Sequence, residues 1–269
     1  MMLNGTLGFL GFGNMGGAIA AGLIEAGRVS GKHVIAFDVD EVKRQQAESL
    51  GIVVAASTEE LARASSTLIL ALKPQTMDAA LRELAPALSP KTLVISIAAG
   101  ISIRFIQERL GAGVRVVRVM PNTPALVNAG AAAIAVSNTC TAEDGRLARA
   151  IFESVGIAEM APESAIDAVT ALSGSGPAYF FYMVECLVRA AVAEGMPEEQ
   201  AARLAAQTLF GAGRLLVESH ESAEVPRAKV TSKGGTTEAA IARFRAEGFE
   251  QVIRAGYQAA AARSRELGA

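Results

Sequence analysis

The stretch Leu7-Gly8-Phe9-Leu10-Gly11-Phe12-Gly13-Asn14-Met15-Gly16 decides how the rest of the chain is read. Its first four residues are a short apolar run, and Gly11 ends it. From Met15 to Ala26 the chain is rich in Ala, Ile and Leu until Gly27 stops it. The order is strand, glycine turn, helix. A GxGxxG alone is a weak signal. Here a second strand, His33 to Asp38, ends in a carboxylate 22 positions beyond Gly16, and that context specifies a dinucleotide site. Gly11 permits the tight turn, Gly13 lets a pyrophosphate approach the backbone, and Gly16 lets helix and strand pack closely. The helix start adds free N–H groups and the positive end of a dipole. Asp38 is placed to accept hydrogen bonds from an adenosine ribose and to repel a 2′-phosphate, so it leans toward NAD(H) over NADP(H). Asp40 competes for that role, and Lys43 and Arg44 soften the repulsion.

Outward from this motif the alternation continues. Glu41 to Leu50 is a polar-faced helix, and Ile52 to Val54 a short strand. Thr67 to Leu72 and Leu93 to Ile97 are almost wholly apolar, as expected of strands with both sheet faces covered. Helices are expected over Thr76 to Leu88, Ile103 to Leu110 and Ala142 to Val155. Val114 to Val119 alternates apolar and basic residues and reads as a half-exposed strand; Ala131 to Val136 is a further strand. The fold class is therefore α/β, an N-terminal Rossmann-type doubly wound sheet. After about Asp167 the strand signal stops. Pro177 to Glu194, Glu198 to Glu218 and Glu238 to Leu267 read as helices, the last interrupted at Gly248. This divides the chain into residues 1–163, dinucleotide-binding, and 164–269, all-helical.

The 269 residues contain 51% apolar and 19% charged residues, with a net charge of −2. Disorder is excluded, and nothing favours a nucleic-acid or anionic-lipid partner. Cys140 and Cys186 form no CxxC pair and no Cys/His cluster, so neither a disulfide framework nor a bound metal is expected. A reducing, cytoplasmic compartment fits. No run of 18 apolar residues exists to span a membrane. The apolar N-terminus has no basic segment before it and runs straight into the glycine motif, so it is not read as a signal peptide.

Loops after the strands complete one side of the sheet: Leu72-Lys73-Pro74-Gln75, Ser96-Ile97-Ala98-Ala99-Gly100 and Met120-Pro121-Asn122-Thr123-Pro124. Small residues there let a flat ring approach the backbone. The helical half holds two Ser/Gly-rich loops that open helices, Thr170 to Tyr179 and Val230 to Glu238. Hydroxyls and exposed N–H groups at a helix start suit a carboxylate or phosphate. The helix Ala178 to Ala193 carries only Glu185 and Arg189 as charges and is apolar nearly all round. A small helical domain can hardly surround it alone, so burial against a second subunit is expected. Neither His33 nor His220 looks placed for catalysis, which argues against alcohol oxidation through a histidine base. A cyclic imine needs less help, because its nitrogen is already basic.

These segments, with GFLGFGNMG, LALKPQ, SIAAGIS, RVMPNTPA, DAVTALSGSGPAYFF and VTSKGGTTEAAI in order, closely resemble pyrroline-5-carboxylate reductases over nearly the whole chain. The resemblance implies reduction of L-1-pyrroline-5-carboxylate to L-proline with NADPH or NADH, the last step of proline biosynthesis. It implies a Rossmann domain followed by a helical dimerisation domain, in a homodimer that often joins into a decamer. By position it puts Phe12 to Met15 on the pyrophosphate, and Asp38 and Thr58 near the adenosine. Leu72, Lys73, Pro74 and Ala99 border the nicotinamide, with Asn122 nearby. Glu163 and Ser173-Gly174-Ser175-Gly176-Pro177 line the substrate pocket, at the dimer interface. Ser232 with the backbone of Gly235 and Thr236 binds the carboxylate, and Thr237 hydrogen-bonds the ring nitrogen as the catalytic group. Two departures stand out. Lys233 replaces the usual proline, and Asp38 replaces a small hydroxyl residue common in the family, which reinforces the NADH leaning. Two other readings stay open: a β-hydroxyacid-dehydrogenase-type reductase, and a non-catalytic dinucleotide-binding protein.

Overall fold

The computed structural model describes residues 5–267, which divide into two compact units, residues 5–175 with 260–267, and 176–259. In the first unit the chain alternates β1 (Leu7–Leu10), α1 (Asn14–Glu25), β2 (Val34–Phe37), α2 (Glu41–Ser49), β3 (Val53–Val54), α3 (Thr58–Ala64), β4 (Thr67–Leu70), α4 (Pro74–Leu84), β5 (Leu93–Ser96), α5 (Ile103–Leu110) and β6 (Arg115–Met120). Then come β7 (Gly130–Val136), α6 (Ala142–Phe152), β8 (Gly156–Met160) and α7 (Ile166–Val169). The eight strands form one sheet ordered β3-β2-β1-β4-β5-β6-β7-β8. It is parallel throughout except where β7 runs antiparallel to β6.

Alternation of side chains along the strands builds two cores. Leu7 and Phe9 of β1, Ile69 of β4 and Ile95 of β5 meet α1, α2 and α6 on one face. Leu10, Leu68, Leu70 and Val94 meet α3, α4 and α5 on the other. Met77, Leu81 and Leu84 give α4 a wholly buried stripe. Each such side chain is worth about 1.5–3 kcal/mol relative to an exposed one.

Two elements of the sheet unit, α3 and β8, stand outside the expected alternation. α3 follows a capping signal in which the Ser57 hydroxyl accepts the N–H of Glu60 at 3.2 Å. β8 sits at the sheet edge, exposed at four of its positions to some degree, which hides its pattern. β6 corrects the half-exposed reading. It is central and buried, and its arginines are paired: Arg115 with Asp144 at 2.7 Å, and Arg118 with Glu163 at 3.3 Å.

The second unit is helical: α8 (Gly176–Ala193), α9 (Glu198–Ser219), α10 (Glu224–Lys229), α11 (Thr236–Ala246) and the first part of α12 (Phe249–Leu267). α10 was also unexpected, because its six residues include Pro226, which sits in the first turn, where proline is tolerated. α8 packs along α9. The break between them uses Gly195 at φ +94°, a left-handed value that costs glycine little. Gly248 does the same between α11 and α12 at φ +75°. The segment before α8 is a second correction. Thr170–Gly174 is a π-helical turn continuing α7, with the Ser175 N–H bonded to the Thr170 carbonyl at 2.8 Å, so it is helix where a loop was expected. Among the described residues no helix is long and apolar enough to cross a membrane.

Candidate active site

Because β1, β2, β4, β5 and β6 are parallel, their C-terminal ends fall on one edge of the sheet, where open α/β folds bind ligands. That edge gathers Gly11 after β1, Asp38 after β2, Leu72 to Pro74 after β4, Ala98 to Gly100 after β5 and Asn122 after β6.

The three motif glycines differ in what surrounds them. Gly11 has φ +91°, and a Cβ there would lie 2.6 Å from the Ala71 carbonyl oxygen. A Cβ on Gly16 would lie 2.7 Å from the Gly11 carbonyl oxygen, which holds α1 close to the turn. A Cβ on Gly13 meets no described atom within 4 Å. Gly13 is the N-cap of α1, and neither a capping side chain nor an acidic residue occupies the first turn. Gly13 to Gly16 thus present N–H groups at an open, positive helix end, which fits a dinucleotide pyrophosphate.

Asp38 is anchored to this turn. Its Oδ2 accepts the Phe12 N–H at 2.6 Å, and its Oδ1 accepts the Asp40 N–H at 2.9 Å. A carboxylate has about four acceptor sites, so capacity for ribose hydroxyls remains. One neighbouring cation, Arg44, stays beside Asp38, and the other, Lys43, reaches along α2. Arg44 Nη1 donates to the carbonyls of Asp38 and Val39, and Lys43 Nζ to Gln46. Thr58 opens α3 at the same edge but is only 3% exposed; Ser57 before it carries the cap.

Lys73 is exposed and is the N-cap of α4, with Pro74 in the first turn. Ala99 is half-buried. Gly100, at φ +76°, lies against Leu267 at the end of α12. Asn122 is 9% exposed, and both ends of its amide are engaged: Oδ1 accepts the Ala131 N–H at 2.8 Å and Nδ2 donates to the Ser173 carbonyl at 3.1 Å. It therefore ties the loop after β6 to the π-turn. Gly174 has a packing reason, since its Cβ would lie 2.5 Å from Met120 Cε.

The expected substrate residues fall in both units. Glu163 and Ser173 to Ser175 belong to the first. The Glu163 carboxylate accepts the Ile103 N–H at 2.7 Å and pairs with Arg118, and Ser173 Oγ bonds the Val169 carbonyl. Gly176 and Pro177 open α8 in the second unit. There too, Thr231 to Gly235 forms a turn into α11, with Gly234 at φ +73° and its N–H on Glu238 at 2.7 Å. The Gly235 N–H closes onto the Ser232 carbonyl at 3.0 Å, and a Cβ on Gly235 would collide with Ser232 Oγ. Thr236 and Thr237 start a helix without a side-chain cap, and Ser232 and Lys233 are exposed.

Sequence reasoning missed Arg118 and Asp167. Arg118 was legible only as one half of a basic alternation, because its partners lie far along the chain.

Comparison with known proteins agrees with this arrangement. Residues 6–100 match the family described as NADP oxidoreductase coenzyme F420-dependent, and residues 163–267 match pyrroline-5-carboxylate reductase dimerisation. The pyrroline-5-carboxylate reductase of Methanosarcina acetivorans is 42% identical over 99% of both chains. A solved pyrroline-5-carboxylate reductase from Coxiella burnetii superposes with a TM-score of 0.93 at 34% identity, covering 99% of this chain and 100% of that one. The Plasmodium falciparum pyrroline carboxylate reductase with NADP bound gives 0.89 at 30% identity over 100% of both. A glycine cradle at the edge of an eight-stranded, mostly parallel sheet, a match to the dimerisation family over residues 163–267 and 42% identity over nearly the full length of a pyrroline-5-carboxylate reductase together place this chain in the pyrroline-5-carboxylate reductase family.

Proposed function

We propose that this family member reduces L-1-pyrroline-5-carboxylate to L-proline, with the first unit holding the nicotinamide cofactor and the second recognising the imine acid. The observation that carries the reading is the open, uncapped N-terminus of α1 at Gly13, on the sheet edge that also gathers Asp38, Lys73 and Ala99. When bound, the reduced nicotinamide supplies a hydride to the imine carbon. Phe12 to Met15 hold the pyrophosphate, and Asp38 the adenosine ribose. Leu72, Lys73, Pro74 and Ala99 border the nicotinamide. Asn122 acts from behind, by fixing the loop after β6. The half of the chain beyond residue 163 serves the substrate. Ser173 to Pro177 line it, with Glu163 at the border through its ion pair. Ser232 and the N–H of Thr236 hold the carboxylate, and the Gly235 backbone shapes the turn. The Thr237 hydroxyl hydrogen-bonds the ring nitrogen and assists its protonation.

Asp38 favours NADH. Its carboxylate and that of Asp40 repel a 2′-phosphate, a repulsion that Lys43 and Arg44 beside them soften without reversing. The exposed aromatic face of α8 is buried in a homodimer, and dimers join into a decamer. Two unpaired cysteines suit a reducing cytoplasm.

The test is turnover by purified protein with pyrroline-5-carboxylate, NADH and NADPH side by side, with the product identified. Proline formed faster with NADH supports the reading. Binding of both cofactors without oxidation of either would contradict it, and would direct attention to Lys233 and another substrate.

A further inference from the structure

We propose that Arg118 is a positioning residue for hydride transfer, acting through the two carboxylates it gathers; the proposal rests on the reductase reading above. Val117 and Val119 of β6 face one core, and Val116 and Met120 the other. Arg118 shares the second face and is only 6% exposed. A buried guanidinium is expensive, and this one is incompletely satisfied. Nη1 meets Glu163 at 3.3 Å, Nη2 meets Asp167 at 3.8 Å, and Nε has no hydrogen-bond partner among the described residues. An apolar side chain of similar volume often serves stability as well as a buried ion pair or better, so stability alone does not account for the arginine.

Position accounts for it. Each partner holds a further segment. Glu163 Oε1 also accepts the N–H of Ile103, directly after the Ala98 to Ser102 loop. Asp167 Oδ1 accepts Ser264 Oγ of α12 at 2.7 Å, and three residues on, Leu267 rests against Gly100 of that same loop. Along β6 itself, Arg118 leads through Met120, packed on Gly174, to Asn122, bonded to Ser173. Short chains of contacts thus link one guanidinium to three motif-bearing segments, those of residues 98–102, 120–123 and 173–175. Its planar fork spans two carboxylates, which a lysine ammonium on a flexible stem cannot do with the same geometry. An error of about 1 Å in aligning reacting groups costs about 100-fold in rate.

The test compares full-length Arg118→Lys, Ser264→Ala and Ser264→Thr with wild type. It reads folded fraction by circular dichroism, NADH Kd by fluorescence, and kcat and KM for pyrroline-5-carboxylate. For Arg118→Lys, kcat per folded enzyme is expected to fall about tenfold or more while NADH Kd stays within about threefold. Ser264→Ala leaves the guanidinium and both carboxylates in place; a fall of about threefold is expected, with recovery in Ser264→Thr. Should Arg118→Lys not fold, the Ser264 pair decides. Unchanged kcat per folded enzyme in the variants that fold would make the cluster purely structural and overturn the proposal alone. A wild type without turnover would overturn the reductase reading, and this proposal with it.

Discussion

Thr67 to Leu70 in β4 and Phe180 to Tyr182 in α8 are similarly apolar runs with opposite fates. Leu68, Ile69 and Leu70 are 0% exposed, whereas Phe180, Phe181 and Tyr182 are 54%, 60% and 63% exposed. The strand is sealed by helices of its own unit on both faces. Between residues 176 and 259 the one buried apolar side chain among the described residues is Ala201. Apolar sequence states that a segment will be buried; it does not state by which chain. Large exposed apolar side chains gathered on one helix in this way mark an interaction site. The first unit is a finished domain, and the second is half of a core.

The sharpest way to break this contrast is at the glycines. Gly13→Val adds a side chain where no protein atom stands, so the unit should stay folded, losing about 1 kcal/mol at most from the cap. Cofactor affinity by fluorescence titration should fall more than about 100-fold, because the pyrophosphate can no longer approach the backbone. Gly11→Ala should do the reverse. Its positive φ and the Ala71 carbonyl make it destabilising by about 1–3 kcal/mol in denaturant titration. Equal destabilisation by both would deny Gly13 its ligand role.

Next in size, Thr237→Ala should lower turnover about 10- to 100-fold while leaving cofactor affinity untouched, since the change lies in the helical unit. Steady-state kinetics that show no loss would remove Thr237 from the mechanism. Asp38→Ser should move the NADPH-to-NADH preference by about tenfold toward NADPH. A ratio that stays put would contradict the ribose assignment.

The smallest effect belongs to the surface of the sheet unit. Hydrogen bonds from Arg82 and Arg109 hold the Asp78 carboxyl below its usual range and join α4 to α5. A depressed folded-state pKa contributes stability above the unfolded value, about 4, and the contribution fades as pH falls through the folded value. Asp78→Asn should therefore be slightly less stable at pH 7, with the gap closing below about pH 4 in thermal melts. A gap that widens on acidification would reverse the assignment.

How much was legible follows the same division. The β1–α1–β2 unit is written locally, in glycines, strand periodicity and Asp38, so its fold and cofactor edge were readable. β6 was misread because the charges that neutralise Arg115 and Arg118 arrive from residues 144, 163 and 167. Residues 170–175 were misread because Ser and Gly look like a loop. The glycine at 174 is instead needed where the helix passes Met120. α3 announced itself through Ser57 and Glu60, a local signal passed over. For the helical unit the element types were readable, but the roles of Ser232 to Thr237 rest on resemblance, because hydroxyls at a helix start serve as caps as often as ligands.

The most direct measurement puts one charge on the open face and reads both units at once. In Phe181→Asp, molecular mass by sedimentation, NADH affinity and proline formation would be measured on the same preparation. The expected result is a monomer that binds NADH within about threefold of wild type yet forms no proline. A monomer with full turnover would contradict the view that the sheet unit is complete and the helical unit is not.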